Sequence, residues 1–263
     1  MRTIYGWMAK HRWLAIVLGS LLLCGVYTGL CLDTDTPIWL VILLNLVLIF
    51  CTYATVDNAP LYLLKNSIAE LDHNCNPVPL GLELEKLLTY KNSEVTQQSL
   101  LMNYTLALDC IGNYEKSYEI LSSINIDKSA KTLPGNKIVY YNNRMEQCMH
   151  LEKYEEACVW YLKASQMYAD MKKSKHKEIL KNTVQEAEAV YYFCKKEYEK
   201  AAHILDASVP RCLRAKVEDA YLYAKICLAL GDEDKAREKL TFVIQNGNKL
   251  HYVEEAKKIL ERL

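Results

Sequence analysis

Apolar positions along this chain follow two different rules. Near the N-terminus they are continuous: Trp13 to Leu32 and Ile38 to Val56 hold no charged residue over twenty and nineteen positions. A core helix of a soluble protein would keep a polar stripe, and neither run has one. At about 1.5 Å per residue, each run is long enough to cross a hydrocarbon core of about 30 Å. Five residues, Asp33 to Pro37, separate the runs, enough for a tight turn between antiparallel helices. The pattern predicts a two-helix membrane hairpin within residues 1–56. A cleavable signal peptide is the competing reading of the first run, but its length and the second run that follows at once argue against it.

After residue 57 the rule changes. Apolar residues recur at spacings of three and four, as on amphipathic helices. Connecting helices are expected over Pro60 to Asp72 and Pro79 to Tyr90, and a last helix carries Leu250, Val253, Ala256, Leu260 and Leu263 on one stripe. Breaks fall at Asn74 to Pro79, Lys131 to Asn136, Lys172 to Lys177, Ser208 to Arg211 and Asn246 to Lys249, where turn-forming residues gather. The fold class is all-α: a transmembrane hairpin (1–56), connecting helices (57–95) and an array of helix pairs with a capping helix (96–263).

Internal repeats carry that last assignment. Gly112 to Leu121, Leu151 to Leu162, Cys194 to Leu205 and Leu230 to Leu240 share one pattern. Each has a short polar turn, an acidic residue, a small residue and then bulky apolar residues. The small residues align as Ser117, Ala157, Ala201 and Ala236, with Leu121, Tyr161, Leu205 and Leu240 four positions on. A small residue early in the second helix of a pair lets the first helix pack close. One pair cannot bury its own apolar face, so neighbours must stack.

These elbows resemble those of the tetratricopeptide repeat family, best in Gly112 to Ser117 and Lys196 to Ala201, with the aromatic after the turn at Tyr114, Tyr154 and Tyr198. The intervals of 40 and 44 residues exceed the family's repeat length. The small residue expected midway along the first helix reads Thr105, Met145, Ala189 and Ala224, a departure in the first two copies. The resemblance implies a helix-pair solenoid whose first helices line a concave surface. It also brings to mind the clamp by which some members hold a peptide carboxylate. Asn103, Asn142 and Asn143 could supply its amides, but Thr183 and Ala187 stand where its basic residues belong, so that ligand is not expected.

Charge adds orientation. Arg2, Lys10 and Arg12 precede the first run, while the turn holds Asp33 and Asp35 and no Lys or Arg. By the positive-inside rule both termini are cytoplasmic, and the short hairpin suggests a bacterial plasma membrane. Overall, 32 basic residues balance 32 acidic ones, which argues against a nucleic-acid partner. Gly25 and Gly29 form a small-xxx-small pair that suits either a homodimer or packing of the two hairpin helices. Ten Cys without a CxxC pair suit a reducing compartment and buried apolar roles, not a disulfide framework or a metal site. No catalytic or dinucleotide fingerprint occurs, and the many carboxylates, such as Glu83, Glu85, Glu115 and Glu119, read as solvated helix faces. No enzyme activity, cofactor or metal is therefore expected.

Tyrosine is enriched instead. Asn103, Tyr104, Tyr141, Asn142, Asn143, Tyr191, Tyr192 and Tyr221 lie on the expected first helices and are the candidate partner-binding residues; packing between repeats is the competing use of these rings. The expected function is a membrane-tethered cytoplasmic scaffold for a protein or peptide partner, anchored in a lipid bilayer. The alternative is a membrane-associated regulator that senses a signalling peptide.

Overall fold

Helix is the regular structure throughout the described residues, 2–31, 36–126 and 134–263, of the computed structural model, and no strand occurs among them. The chain divides into two compact units. One comprises Met1–Asn66 with Glu83–Leu100, the other Ser67–Leu82 with Leu101–Leu263. Positions 33–35 of the expected turn and positions 131–133 of the expected second break lie outside the described residues.

In the first unit, α1 (Arg2–Lys10) leads into α2 (Arg12–Cys31), and α3 (Ile38–Asn74) begins beyond the turn. Both α2 and the first part of α3 are long and apolar enough to span a membrane, and their apolar side chains are largely exposed, unlike those of a soluble core. The two helices meet through specific contacts. The Asn45 amide donates to the Thr28 hydroxyl at 3.0 Å, and a Cβ on Gly19 would come within 2.9 Å of the Thr52 methyl. Gly25 and Gly29 have open space instead, so Gly19 and not that pair provides the close approach. Just past the second apolar run, Asp57 gathers an ion pair from Arg12 at 2.8 Å and a hydrogen bond from Ser93 at 2.9 Å.

The connecting helix expected at Pro60 is not a separate element. The chain stays helical through Pro60 to Asn74, although proline forfeits one backbone bond. Val56, Ala59, Leu63 and Leu64 are buried around it, and this packing outweighs the lost bond. A short helix α4 (Val78–Leu88) follows.

The second unit, which takes α5 from Leu101 onward, is built from helix pairs: α5 (Glu94–Cys110) with α6 (Tyr114–Ser123), α7 (Pro134–His150) with α8 (Tyr154–Asp170), α9 (Lys175–Cys194) with α10 (Tyr198–Asp206), and α11 (Leu213–Leu230) with α12 (Glu233–Asn246). A last helix, α13 (Tyr252–Leu260), closes the chain. All four pairs turn through one elbow. Gly112, Glu152, Lys196 and Gly231 take φ of 81°, 57°, 61° and 79°. The next amides, of Asn113, Lys153, Glu197 and Asp232, donate five residues back to Leu108, Cys148, Tyr192 and Cys227 at 2.8–2.9 Å. That bond satisfies carbonyls left open at the first helix's end.

The packing repeats with the elbow. Ser117, Ala157, Ala201 and Ala236 are fully buried, as are Thr105, Met145, Ala189 and Ala224 opposite. Thr105 and Met145 thus occupy the same sites as the two alanines. The Ser117 hydroxyl meets its larger neighbour by donating to the Thr105 carbonyl at 3.1 Å. Leu121, Leu205 and Leu240 fill the next layer, each contributing about 1.5–3 kcal/mol by burial.

Candidate functional site

The first helices of the last three pairs, together with the start of α13, enclose a cavity of about 60 Å3. Its wall takes Glu146 and His150 from α7, Glu186 and Val190 from α9, and Glu218, Tyr221 and Lys225 from α11, with Tyr252 at one side. The spacing of four puts each α7 and α9 couple on one helical face. A wider groove of about 640 Å3 lies between α10, α11 and α12, but it is open and its basic and acidic residues balance.

The cavity is electrostatically unbalanced. Four carboxyl groups, of Glu146, Glu186, Glu218 and Asp219, line it, with Lys225 as the cation in its wall. Arg214 stands beside it but is already committed, 3.0 Å from Asp72 and 2.7 Å from Glu218. Burial, reinforced by the Glu218 charge, pushes the Glu146 carboxyl up to about 8. Burial likewise raises Glu186 to about 7, against the pull of Arg211, and Asp219 to about 6, against a hydrogen bond from Ser208. The cause is general: a carboxylate loses hydration on burial, and like charges add to the cost. His150 moves the other way, to about 3, because burial and Lys225 disfavour its cation.

Behind the wall lies a second polar layer. Asp109 on α5 is buried, and burial lifts it to about 7 even though the nearby Ser117 hydroxyl and a hydrogen bond from Gln147 pull it down. The Gln147 amide donates to the Ser117 hydroxyl at 2.6 Å and to Asp109 at 3.3 Å. The Asp109 Oδ1 atom is left without a partner. Tyr114 stacks on His150 with ring centres 4.1 Å apart, and its buried hydroxyl also has no partner.

The N-terminal end of α13 is held against this site. The His251 amide donates to the Cys110 carbonyl at 2.9 Å, and the Lys249 amide donates to the Cys75 carbonyl at 3.2 Å. The Tyr252 ring lies 4.8 Å from that of Tyr221. Glu255 accepts from Tyr221 and pairs with His251 at 2.8 Å. The His251 hydrogen bond, with help from Tyr221, outweighs burial and takes Glu255 down to about 2.

Of the eight residues singled out in the sequence, Tyr221 lines this cavity. Tyr104 is buried, with the Lys116 ammonium 3.3 Å from its hydroxyl. Tyr141 is buried against Trp160 at 5.8 Å. Asn142 is buried and donates to the Thr183 carbonyl at 3.3 Å. Tyr191 stacks on Tyr161 at 4.5 Å, and Tyr192 lies under the Lys200 ammonium at 5.2 Å. Asn103 and Asn143 are half-buried on α5 and α7. The structure does not bring the eight together; most of the rings serve packing between helices.

The carboxyls of the cavity were missed in the sequence, yet the elbows hold a signal for them. Glu186 and Tyr221 each lie ten residues before the positive-φ residue of their elbow, Lys196 and Gly231. Glu146 and Lys225 each lie six before theirs, Glu152 and Gly231. Residues at one register of these first helices share one side of the helix pairs, and here that side lines the cavity. No family model, curated protein or solved structure matches the chain.

Proposed function

We propose that the chain is a membrane-tethered scaffold: a tetratricopeptide-like helix-pair array that binds a protein or peptide segment on its inner face. The observation that carries this reading is the fourfold elbow, with one backbone geometry and one set of buried small residues at intervals of 40, 44 and 35. Such an array offers a surface in place of a reaction centre. The two apolar helices support an anchor in a plasma membrane, of a bacterial cell in our reading, with both termini cytoplasmic. Tethering raises the effective concentration of the array near a partner in the same membrane without any new contact.

Two measurements test this. A reporter fused after Leu263 should be active in the cytoplasm; activity on the far side would sink the orientation. Crosslinking of the full chain in its native membrane should recover one defined protein. Tyr221→Ala with Lys225→Ala should cut that recovery at least tenfold at unchanged chain abundance. Undiminished recovery would remove the inner face from the proposal.

A further inference from the structure

The inner cavity is poorly arranged for a metal ion and well arranged for an organic cation. Among the described residues, no three His, Cys, Asp or Glu side chains converge closely enough to share an ion. The carboxyls instead surround a space of about 60 Å3, room for a few water-sized groups and for the head of one side chain. Two tyrosine rings, Tyr221 and Tyr252, stand in the same wall, and aromatic faces attract guanidinium and ammonium groups. The charge count leaves a deficit: the four lining carboxyls and Asp72 face Lys225, Arg211 and Arg214, two short of neutrality.

A set of acids alone would not mark a site, because protonation could neutralise it. Two further groups are independent of the lining. Asp109, in the polar layer behind the wall, is 7% exposed, and its Oδ1 has no hydrogen-bond partner; its charge acts on Glu146, and that of Glu218 acts on it. Tyr114 is 9% exposed, and its hydroxyl also has no partner; it senses Glu255, Asp109 and Tyr221, while its ring stacks on the wall residue His150. A buried acceptor left unpaired is costly. Glu186 adds a third such atom, Oε1, in the wall itself.

We infer that the cavity is a socket for one basic side chain, the guanidinium or ammonium head of an Arg or Lys carried by the partner. The inference rests on the scaffold reading and names what the inner face selects: a segment that inserts a cation between Glu146, Glu186 and the rings of Tyr221 and Tyr252. The head neutralises the carboxyls, and one of its N–H groups supplies the donor that Glu186 Oε1 in the wall lacks. A guanidinium does this best, with five donors in a fixed fork.

The test uses the full chain in detergent micelles at pH 7.5, with N-acetyl-arginine amide as probe and N-acetyl-citrulline amide as its neutral isostere. The arginine probe should raise the melting temperature in a concentration-dependent way and bind at least tenfold more tightly than citrulline. Glu146→Gln with Glu186→Gln should lose at least tenfold in arginine affinity. These substitutions remove buried like charges, so the variant should fold, and its helical circular dichroism checks this. Equal binding of arginine and citrulline, an unchanged affinity in the Gln variant, or an equal response to calcium chloride would each overturn the socket. Crosslinking separates this failure from failure of the scaffold reading. A partner still captured by the Gln variant sinks the socket alone, whereas loss of the partner only in that variant supports it.

Discussion

Arg144 shows how one residue can hold a helix pair together. It lies on α7, is nearly inaccessible, and reaches Glu156 on α8 at 2.8 Å. It donates to the Tyr118 carbonyl at 3.2 Å and to the Ser122 hydroxyl, and its guanidinium lies 4.1 Å from the Tyr118 ring centre and 5.1 Å from that of Trp160. Burial would raise the Glu156 carboxyl, yet hydrogen bonds from Trp160 and Tyr118, with the Arg144 charge, bring it below its ordinary value. Removing the guanidinium strips a charged partner from Glu156 and takes one of two cations from each ring, since Lys153 stays 3.7 Å from the Tyr118 ring centre and Lys163 4.2 Å from that of Trp160. Arg144→Ala should cost about 1.5–3 kcal/mol, read as a lower urea midpoint with unchanged slope. Arg144→Lys should recover little of it, because an ammonium cannot serve Glu156, Tyr118 and Ser122 at once. Full recovery by lysine would reduce the site to a simple charge pair.

At the scale of the element, the elbow sets both fold and register, and its four copies offer an internal control. Gly231 has positive φ with open space where a Cβ would go, so Gly231→Ala measures backbone strain alone, about 1–2 kcal/mol. Gly112 has the same φ, but an added Cβ would meet the His251 ring at 2.4–2.8 Å. Gly112→Ala should therefore cost more than Gly231→Ala, and thermal melts of the two variants compare them directly; equal losses would mean His251 yields freely. Lys196→Gly should act in the opposite direction, relieving a non-glycine residue at φ 61°. These elbows were legible in the sequence because a tight turn followed by a small residue is a local pattern. The apolar helices were legible because continuous hydrophobicity needs no partner to be recognised. Pro60 was misleading, since its tolerance inside α3 depends on packing by Val56, Ala59 and Leu64 that no local pattern records. The carboxyls of Glu146 and Glu186 read as solvated faces for a related reason. Which side of a first helix turns inward becomes visible only when several copies are set in register.

The same carboxyls govern how the whole chain answers to pH. Asp109, Glu146, Glu186 and Asp219 sit at about 7, 8, 7 and 6, all above their ordinary values. A group whose folded pKa is raised binds its proton more tightly when folded. Its contribution is present in acid, declines once pH exceeds the unfolded value near 4, and is gone above the folded value. His150 and Glu255, lowered to about 3 and about 2, work in the opposite sense. Their contributions are full above about 6.5 and about 4.5 and are lost as pH falls through 3 and 2, so they add no slope above neutrality. Between pH 6 and 8 the four raised carboxyls therefore set the sign, and the melting temperature of the full chain in micelles should fall, their share levelling off as pH passes the highest folded value, about 8. Glu146→Gln with Glu186→Gln removes the group that titrates highest, Glu146, together with Glu186, which equals Asp109, and should abolish roughly half or more of that fall. The variant should also melt above the parent at pH 9, where the parent must keep both carboxylates charged inside the array. A melting temperature that is flat or rising over this range, or the same slope in both proteins, would mean that water or a bound cation already neutralises the cavity. A bound cation would then have to come off under denaturing wash, after which the slope predicted for the bare carboxyls should return.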